Sequence, residues 1–375
     1  MKIQFISHYS HLYGANKMLL TLLIYFHNHG YEMSVLFPSK GRMTEKLDEL
    51  NIPYRVIPYY SSFLYLKKTI KFIAYPLLIL LDFITFPFIL LHINKFNPDI
   101  IYSNTSAENL GYFVAKILKK KHITHVHEFM SKNHGVSFIG GNEFKRKFIN
   151  KSTGAIFVTK SVADYVMGNY FNPNKHTIIY NGLQCPIVNI STEKKSRPYH
   201  YGIVGILSAG KRQDVAIKYF KNIFEMYPSS KLHIYGDKEG SYKRYLFYLV
   251  KKLGLESHII FHGFVQDIET IYKEIDTLLV FSKLEGFGLV TAEAMYRGIP
   301  VIGYDDAGTS ELIEDNQSGY LFTDEESFQE RINLLHCTNN YERIKENAYK
   351  RAVSLFNESD YCSSIETFVK KIYNE

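Results

Sequence analysis

The chain has 375 residues, enough for two ordinary domains that each bury a core. Hydrophobic residues make up 46% of the chain and charged residues 22%, which excludes a disordered or strongly polar protein. The cysteines lie far apart and form no CxxC pair, so we expect a reducing compartment, no disulfide framework and no structural zinc site. They are Cys185, Cys337 and Cys362.

The net charge of +7 is divided unevenly along the chain. Residues 1–185 carry 21 Lys+Arg against 10 Asp+Glu, a net +11, and the remainder carries −4. A basic half indicates a polyanion or an anionic membrane as partner. We expect no nucleic-acid partner, because the basic residues form short clusters with no recognisable nucleic-acid module. The clusters are Lys67-Lys68-Lys71, Lys119-Lys120-Lys121 and Lys145-Arg146-Lys147.

Short apolar strands alternate with helical patterns along the chain, which is typical of parallel α/β layers. The start, MKIQFISHYS, lacks the long apolar core of a secretory signal and is predicted to be a strand. The predicted strands of the first half are Ile3–Ser7, Ser34–Phe37, Arg55–Ile57, Ile100–Ser103, Ile123–His127, Ala155–Val158 and Thr177–Tyr180. Those of the second half are Tyr201–Gly205, Leu232–Tyr235, Ile259–His262, Thr277–Phe281 and Val301–Tyr304.

These elements predict two doubly wound, Rossmann-like α/β domains that face a central cleft, with ligands at the carboxyl ends of the strands. The first domain is expected over residues 1–185, a polar linker over 186–197 and the second domain over 198–355.

The apolar run Phe72–Ile93 leaves three alternatives open. Its length suits a membrane span, but Asp82 near its centre and prolines at 76 and 87 count against a simple one. It could instead be a buried helix pair of the first domain, or an apolar surface that dips into one leaflet beside anionic headgroups.

The most informative stretch is 281–300, FSKLEGFGLVTAEAMYRGIP. Glu285 lies on a predicted loop between a strand and a helix that starts at about Leu289. The loop glycines let the backbone approach a ligand, and the helix start offers unpaired N–H groups to phosphate or sugar hydroxyls. Glu293 lies about one turn into the helix, so both carboxylates can face one ligand. Taken alone, two glutamates eight apart are common on surfaces.

Three further features carry candidate ligand contacts. Lys211, between a predicted strand and a helix at about Asp214, could neutralise a diphosphate, although lysine is mostly a surface residue. Gly14 and Ala15 open a predicted helix and could offer N–H groups to phosphate, or form an ordinary turn. His127 ends the strand in ITHVHEF and could contact a ligand or be a satisfied structural residue.

Residues 281–322 resemble the donor-site signature of retaining GT-B glycosyltransferases of family four, and the resemblance extends over essentially the whole chain. The signature is E-x7-E, then EAM, GxPV, an acidic or Gly-rich turn, E-x-I and GxLF. It is matched by Glu285, Glu293, Met295, Gly298, Pro300, Val301, Gly308, Glu311, Ile313, Gly319 and Phe322.

The resemblance implies roles for these residues. Glu285 would bind hydroxyls of the donor sugar and is not expected to be a nucleophile, because the departing phosphate itself takes the acceptor proton. Glu293 would hold the ribose hydroxyls. Lys211 matches the lysine of the diphosphate clamp, whereas Ile206 stands at the position of its arginine, with Arg212 as the nearest substitute. The remaining donor contacts would be Gly286, Phe287 and Gly288 at the sugar, Leu289 and Val290 near the diphosphate, and Gly236, Phe264 and Val265 at the base.

In the first half the resemblance implies that His127 contacts the donor sugar, with His125 the less favoured partner, and that Glu128 could serve the acceptor. The glycine loop holds Tyr13-Gly14 where the family usually has two glycines. The last helix, within 356–375, is expected to cross back to the first domain.

The expected activity is transfer of a sugar from a UDP- or GDP-linked donor to a hydroxyl of a lipid-linked glycan, for capsule, O-antigen or a related polymer. The enzyme would be cytoplasmic and peripheral on the inner face of the cell membrane, with no metal or cofactor, since there is no DxD motif or ligand spacing. The alternatives are a soluble acceptor and a catalytically silent sugar-binding partner protein.

Overall fold

The computed structural model describes residues 1–60, 63–64, 68–129, 137–138, 141–184, 199–337 and 339–375. The chain forms two compact units. Unit 1 comprises Met1–Gly182 together with Glu358–Glu375, and unit 2 comprises Leu183–Asn357. The predicted linker 186–197 and Cys185 lie outside the described residues.

Unit 1 is built on a seven-stranded parallel sheet with the strand order β3-β2-β1-β5-β6-β8-β9. Its strands are β1 (Lys2–Ile6), β2 (Glu32–Phe37), β3 (Tyr54–Val56), β5 (Ile100–Ser103), β6 (Lys121–Val126), β8 (Gly154–Phe157) and β9 (His176–Ile178). A separate antiparallel pair joins β4 (Phe63–Leu64) to β7 (Ser137–Phe138). The central strands are buried along almost their whole length, because helices cover both faces of a parallel sheet.

The helices of unit 1 connect these strands. They are α1 (Gly14–Asn28), α2 (Arg42–Glu49), α3 (Lys68–Phe96), α4 (Leu110–Leu118), α5 (Gly141–Lys151) and α6 (Lys160–Val166). The last helix of the chain, α14 (Glu358–Asn374), also belongs to unit 1. It is held there by hydrogen bonds: Tyr25 Oη donates to Glu366 Oε2 at 2.9 Å, and Lys121 Nζ donates to the carbonyl of Ile372 at 2.8 Å.

The apolar run 72–93 lies within α3, a single helix that contains both Pro76 and Pro87. The interpretation as a buried helix pair is therefore wrong. Ile89 and Ile93 pack into the core of unit 1, whereas most of the other apolar side chains from residue 76 onward are exposed. Among the described residues, Pro76–Phe96 is long and apolar enough to cross a membrane by length and composition alone. The Asp82 carboxylate accepts a hydrogen bond from the N–H of Tyr60 at 2.9 Å, which satisfies part of its hydrogen-bonding capacity.

Unit 2 is built on a six-stranded parallel sheet with the order β12-β11-β10-β13-β14-β15. Its strands are β10 (His200–Val204), β11 (Lys231–Tyr235), β12 (Ile259–Gly263), β13 (Thr277–Val280), β14 (Val301–Tyr304) and β15 (Tyr320–Phe322). Its helices are α7 (Gln213–Met226), α8 (Ser241–Leu253), α9 (Ile268–Glu274), α10 (Leu289–Tyr296), α11 (Ala307–Leu312), α12 (Glu325–His336) and α13 (Asn340–Leu355). Tyr201, Ile234 and Phe281 lie in its main core cluster.

Both sheets have doubly wound topology, because in each the chain first builds outward on one side of the first strand and then on the other. The predicted fold class, α/β with two Rossmann-like domains, is confirmed. Every strand predicted from the sequence is present, with ends shifted by a residue or two. The sequence prediction missed β15 and the short pair β4–β7, which carry too few residues to show a period.

Candidate functional site

The candidate site of unit 2 lies where the strand order reverses, between β10 and β13. These two strands are parallel neighbours, with Tyr201 opposite Thr277, so the loops that follow them emerge side by side. The first loop carries Lys211 and the second carries Glu285, and the Nζ atom of Lys211 forms an ion pair with Oε1 of Glu285. The side chains of this pair are 27% and 14% exposed, so solvent still reaches them. Lys211 and Glu285, which the sequence analysis predicted separately as ligand contacts, are thus direct neighbours in the structure.

A close backbone approach joins the loop after β10 to the loop after β11. Gly236 has φ +127°, and a Cβ atom built there would lie 2.1 Å from the carbonyl oxygen of Gly205. Only glycine fits this position without moving the backbone. Gly236, predicted as a nucleotide contact, therefore also fixes the shape of the strand ends beside Lys211.

The loop of Glu285 is held by the turn after β14. The backbone carbonyl of Glu285 accepts a hydrogen bond from the N–H of Gly308 at 2.9 Å. A Cβ atom at Gly308 would lie 2.7 Å from the same carbonyl oxygen. The preceding residue, Leu284, adopts φ +57° and donates its N–H to Asp306 Oδ2 at 3.0 Å. Asp306 was not singled out from the sequence, because its contact joins two loops that only the sheet order brings together.

Helix α10 begins directly after Gly288, which adopts φ +95°. Leu289 and Val290 form its first turn, as predicted, and Glu293 follows about one turn later in a buried position. The hydroxyl of Tyr272 donates to Glu293 Oε2 at 3.0 Å and also contacts the carbonyl of Val290 at 3.1 Å. Burial, reinforced by the Glu293 charge, raises the pKa of Tyr272 well above its usual value. Tyr272 therefore keeps its proton and holds the Glu293 carboxylate, a contact that the sequence analysis missed.

The other predicted donor contacts of unit 2 differ in their surroundings. The Phe287 side chain is buried against Phe356, with ring centroids 5.5 Å apart, so only its backbone is available to a ligand. Phe264 is exposed at the end of β12 and Val265 is partly buried. Both residues follow β12, which is separated from β10 by β11. The Lys211–Glu285 ion pair lies at the ends of β10 and β13.

Arg212, the nearest substitute for the clamp arginine, contacts an aromatic ring and the residue that follows β13. The guanidinium of Arg212 lies over the ring of Tyr304, 4.7 Å from its centroid, and Nη1 lies 3.4 Å from the carbonyl oxygen of Phe281. Arg212 thus sits at the same two strand ends as the Lys211–Glu285 pair. Ile206, at the position where the family pattern has arginine, is 51% exposed.

In unit 1, Gly14 and Ala15 form the first turn of α1, as the sequence predicted. The loop before them is pinned by Asn16, which is buried and donates from Nδ2 to the carbonyls of Tyr9 and His11, both at 2.9 Å. The side chain of Asn104, just after β5, reaches the carbonyl of Ala15 at 3.1 Å. The start of α1 is therefore fixed at the strand ends of β1 and β5, where that sheet reverses its order.

His127 follows β6 directly, and its Nε2 atom is buried without a hydrogen-bond partner among the described residues. Burial lowers the pKa of His127 to about 3, so its imidazole is neutral at pH 7. His125 is hydrogen-bonded from Nδ1 to Tyr102 Oη at 2.8 Å and lies fully buried within β6. Nε2 of His125 is likewise buried without a partner among the described residues, so the distinction rests on exposure: His127 is partly exposed after the end of β6, which favours it over His125 as a ligand contact. Glu128 accepts from the hydroxyls of Thr105 at 3.0 Å and Ser106 at 2.7 Å.

Lys145, in the basic cluster Lys145-Arg146-Lys147, does not lie on the surface. Its side chain is buried, and Nζ donates to the carbonyl of Glu108 at 3.0 Å and to Asn109 Oδ1 at 2.6 Å. Burial lowers the pKa of Lys145 to about 8. Burial, together with the nearby His127 and Lys145, also lowers the pKa of His8 to about 3. His8 and Lys145 therefore lie near enough to His127 to form a polar cluster with it, which the sequence did not reveal.

Comparison with protein families assigns both halves of the chain. Residues 13–185 match the model described as Glycosyltransferase Family 4, and residues 189–351 match the model described as Glycosyl transferases group 1. Poly(glycerol-phosphate) alpha-glucosyltransferase of Bacillus subtilis (strain 168) is 28% identical over 187 residues, which cover 49% of this chain and 26% of the relative. Poly(ribitol-phosphate) alpha-N-acetylglucosaminyltransferase of Staphylococcus aureus (strain COL) is 28% identical over 223 residues, 56% of this chain and 42% of the relative.

The chain thus spans less than half of the length of these curated relatives. Among solved structures, Anabaena HepE in complex with UDP has a TM-score of 0.81 at 21% identity, covering 99% of this chain and all of the other. A likeness at that identity shows a shared fold. With a glycosyltransferase family model on each half and this fold over its length, the chain belongs to the glycosyltransferases of GT-B fold.

Proposed function

We propose that the protein is a retaining glycosyltransferase that uses a nucleoside-diphosphate sugar. The observation that carries the proposal is the Lys211–Glu285 ion pair at the reversal point of the unit 2 sheet. One member is a cation suited to a diphosphate, and the other is an anion suited to sugar hydroxyls. The support from relatives is that HepE has been crystallised with UDP and with UDP-glucose.

The proposed roles follow from where each side chain lies. Lys211 neutralises the diphosphate as it leaves, assisted by Arg212, and Glu285 accepts hydrogen bonds from the sugar hydroxyls. Glu293, one turn into α10 and held by Tyr272, accepts hydrogen bonds from the ribose. From unit 1, the neutral His127 contributes a hydrogen bond to the sugar.

The proposed transfer breaks the bond between the anomeric carbon and the diphosphate oxygen and forms a bond from the acceptor oxygen to the same carbon, on the same face. The acceptor hydroxyl gives its proton to the departing phosphate. No protein nucleophile is required, so Glu285 acts through its charge and hydrogen bonds. Its contribution is greatest if these contacts strengthen as positive charge develops on the sugar ring.

The proposed acceptor is a hydroxyl of a lipid-linked glycan or surface polymer, at the inner face of the cell membrane. The support is the outer face of α3, where Phe83 is 73% exposed and Phe88 is 64% exposed. Exposed aromatic and aliphatic side chains on one helix fit the interfacial layer of a bilayer, and the net +11 of residues 1–185 favours anionic lipids. The relatives described above are named for transfer to poly(glycerol-phosphate) and poly(ribitol-phosphate).

A catalytically silent sugar-binding protein is the second candidate, favoured by isoleucine at position 206. One experiment separates the two. The protein is screened by thermal shift against a panel of UDP- and GDP-sugars, and the stabilising donor is then followed by NMR with and without acceptor. A retaining enzyme releases free nucleoside diphosphate and gives a product with the anomeric configuration of the donor. Stabilisation without any release of diphosphate, with acceptor present, identifies a silent binder, and inversion of the anomer excludes the retaining mechanism.

A further inference from the structure

A row of histidines crosses three neighbouring strands of unit 2, outside the site described above. His200 on β10, His233 on β11 and His262 on β12 lie with their rings stacked, His233 against each of the other two. Nδ1 of His200 is 2.9 Å from Nε2 of His233, and Nδ1 of His233 is 2.9 Å from Nε2 of His262. The side chain of Glu274, the last residue of α9, lies beside the second pair.

Three ligand atoms converge at one end of this row. Oε2 of Glu274 is 3.9 Å from Nδ1 of His233 and 3.9 Å from Nε2 of His262, and the two nitrogens are 2.9 Å apart. Ligands of a tetrahedral ion with bonds of about 2.0–2.1 Å stand roughly 3.3 Å apart. The observed spacings lie on either side of that value, so movements of a few tenths of an ångström would seat all three atoms on one ion.

Outer hydrogen bonds orient two of these three ligands. The ring nitrogen of His233 that faces away from Glu274, Nε2, is hydrogen-bonded to His200. The carboxylate of Glu274 accepts from the hydroxyl of Tyr235 at 2.6 Å, and the ring of Tyr235 stacks on His262 with centroids 4.2 Å apart. Metal-binding histidines and carboxylates are commonly oriented by such partners, which raise the basicity of the ligand and fix its ring.

We propose that His233, His262 and Glu274 bind a single divalent transition-metal ion of the zinc class. Two imidazoles and one carboxylate are a ligand set that zinc takes readily, and three protein ligands leave a fourth position for solvent.

The site is separate from the Lys211–Glu285 pair. Its ligands lie on β11, β12 and the end of α9, and His262 opens the stretch 262–265 that the family resemblance places at the base of the donor. The sequence shows no ligand spacing for it, because each ligand comes from a different element and only the parallel order β12-β11-β10 brings the strands together. The expectation of no metal rested on that missing spacing.

The test is zinc binding to the full chain after treatment with a chelator. Zinc affinity and stoichiometry are measured by competition with a chromophoric chelator, and cobalt(II) is added separately to record its visible absorption. We expect one zinc per chain and the intense visible bands of tetrahedral cobalt. His262→Gln and Glu274→Gln should each weaken zinc by at least about tenfold.

The control is His27→Gln, which removes an exposed histidine of α1 in unit 1 and should leave zinc affinity unchanged. Glu274 is exposed, so its substitution should fold normally, and the metal-free melting curves of all variants verify this. Zinc bound at much less than one per chain overturns the proposal. So does an affinity that either ligand variant leaves unchanged, or that falls equally in His27→Gln.

Discussion

Lys211 and Glu285 are 74 residues apart in sequence and form an ion pair in the structure. Their contact follows from the strand order of unit 2, since the loops that carry them leave adjacent strands at the point where the winding reverses. In the proposed reaction the ion pair must weaken when the donor binds, because Lys211 then contacts the diphosphate and Glu285 contacts the sugar hydroxyls.

Replacing Lys211 by alanine should weaken the nucleoside diphosphate and the intact donor to the same extent. Both ligands carry the phosphates that Lys211 is proposed to contact, and the loss of one charge-assisted hydrogen bond costs about 1.5–3 kcal/mol. Isothermal titration with UDP and UDP-glucose measures this. The matched control is Lys218→Ala, which removes an exposed lysine from α7 in the same unit. Undiminished UDP binding to Lys211→Ala would assign the clamp to another residue, and Arg212 would be tested next.

Removing the hydroxyl of Tyr272 should loosen Glu293 without removing any charge. The Tyr272→Phe variant loses the one O–H donor that Glu293 and the carbonyl of Val290 share. We expect a stability loss of about 0.5–1.5 kcal/mol and weaker UDP binding, because the carboxylate is no longer fixed. Thermal melting and titration with UDP measure the two effects. Tyr248→Phe, on an exposed tyrosine of α8, is the control. A variant that binds UDP normally would show that Tyr272 has no positioning role.

The exposed face of α3 should carry binding to anionic liposomes. The double variant Phe83→Ser/Phe88→Ser removes two exposed apolar side chains and should lower partitioning at least about tenfold, since each buried phenylalanine contributes about 1.5–3 kcal/mol. Salt should weaken binding of the wild type without abolishing it, because apolar contact is not screened. Liposome sedimentation measures both effects.

The control for the liposome experiment is Tyr245→Ser/Tyr248→Ser, which removes two exposed aromatic side chains from α8 in unit 2. It should bind liposomes like the wild type. Equal binding by both double variants and the wild type would remove the support for a membrane-bound acceptor and favour a soluble one.

The stability of unit 1 should fall in acid because of its buried histidines. Burial lowers the pKa of His127 to about 3, against about 6.5 in an unfolded chain. Below pH 6.5 the unfolded state therefore binds a proton that the folded state does not, and stability is lost as the pH falls from 6.5 towards 3. Each such histidine contributes up to about 1.4 kcal/mol per pH unit. Burial likewise lowers the pKa of His8 and of His122 to about 3.

Hydrogen exchange of the amides of β6, corrected for the intrinsic effect of pH, reports the opening of unit 1. His127→Gln should reduce the pH dependence by about 1.4 kcal/mol per pH unit, whereas His27→Gln, at an exposed position, should not change it. An unchanged slope in His127→Gln would mean that this imidazole is already protonated in the folded protein.

All strands of the two parallel sheets except β15 were predictable from the sequence, because strands buried on both faces are rich in apolar residues and stand out between polar turns. The loop of Glu285 and the start of α10 were predictable for a similar reason, since Gly286 and Gly288 precede a helical pattern. These features depend on residues close together in the chain.

The contacts that hold the site could not be predicted in this way. Tyr272 reaches Glu293 across 21 residues, and Asp306 reaches the backbone of Leu284 across 22. The burial of Lys145 depends on the path of the chain around Glu108, which the basic residues next to Lys145 in the sequence do not indicate. The sequence also did not show which face of α3 is buried. The run 72–93 is apolar on all sides and lacks the helical period of apolar and polar residues that would mark a buried face.

The two glutamates of the candidate site provide the most direct test of the proposed donor-binding arrangement. Isothermal titration is performed with UDP and with UDP-glucose, or with whichever donor the panel identifies, on Glu285→Gln and Glu293→Gln. Turnover is measured on the same preparations, and circular dichroism verifies that both variants are folded. Glutamine keeps the size of each side chain and removes its charge.

Glu285→Gln should bind the free nucleoside diphosphate nearly as well as the wild type, because Lys211 keeps its charge, and should lower turnover by a factor of about 10² or more. Glu293→Gln should instead weaken the diphosphate and the donor together, by roughly 1–3 kcal/mol for the lost charged hydrogen bonds. That pattern would place Glu285 at the sugar and Glu293 at the ribose. Abolished diphosphate binding in Glu285→Gln, with normal binding in Glu293→Gln, would contradict the account.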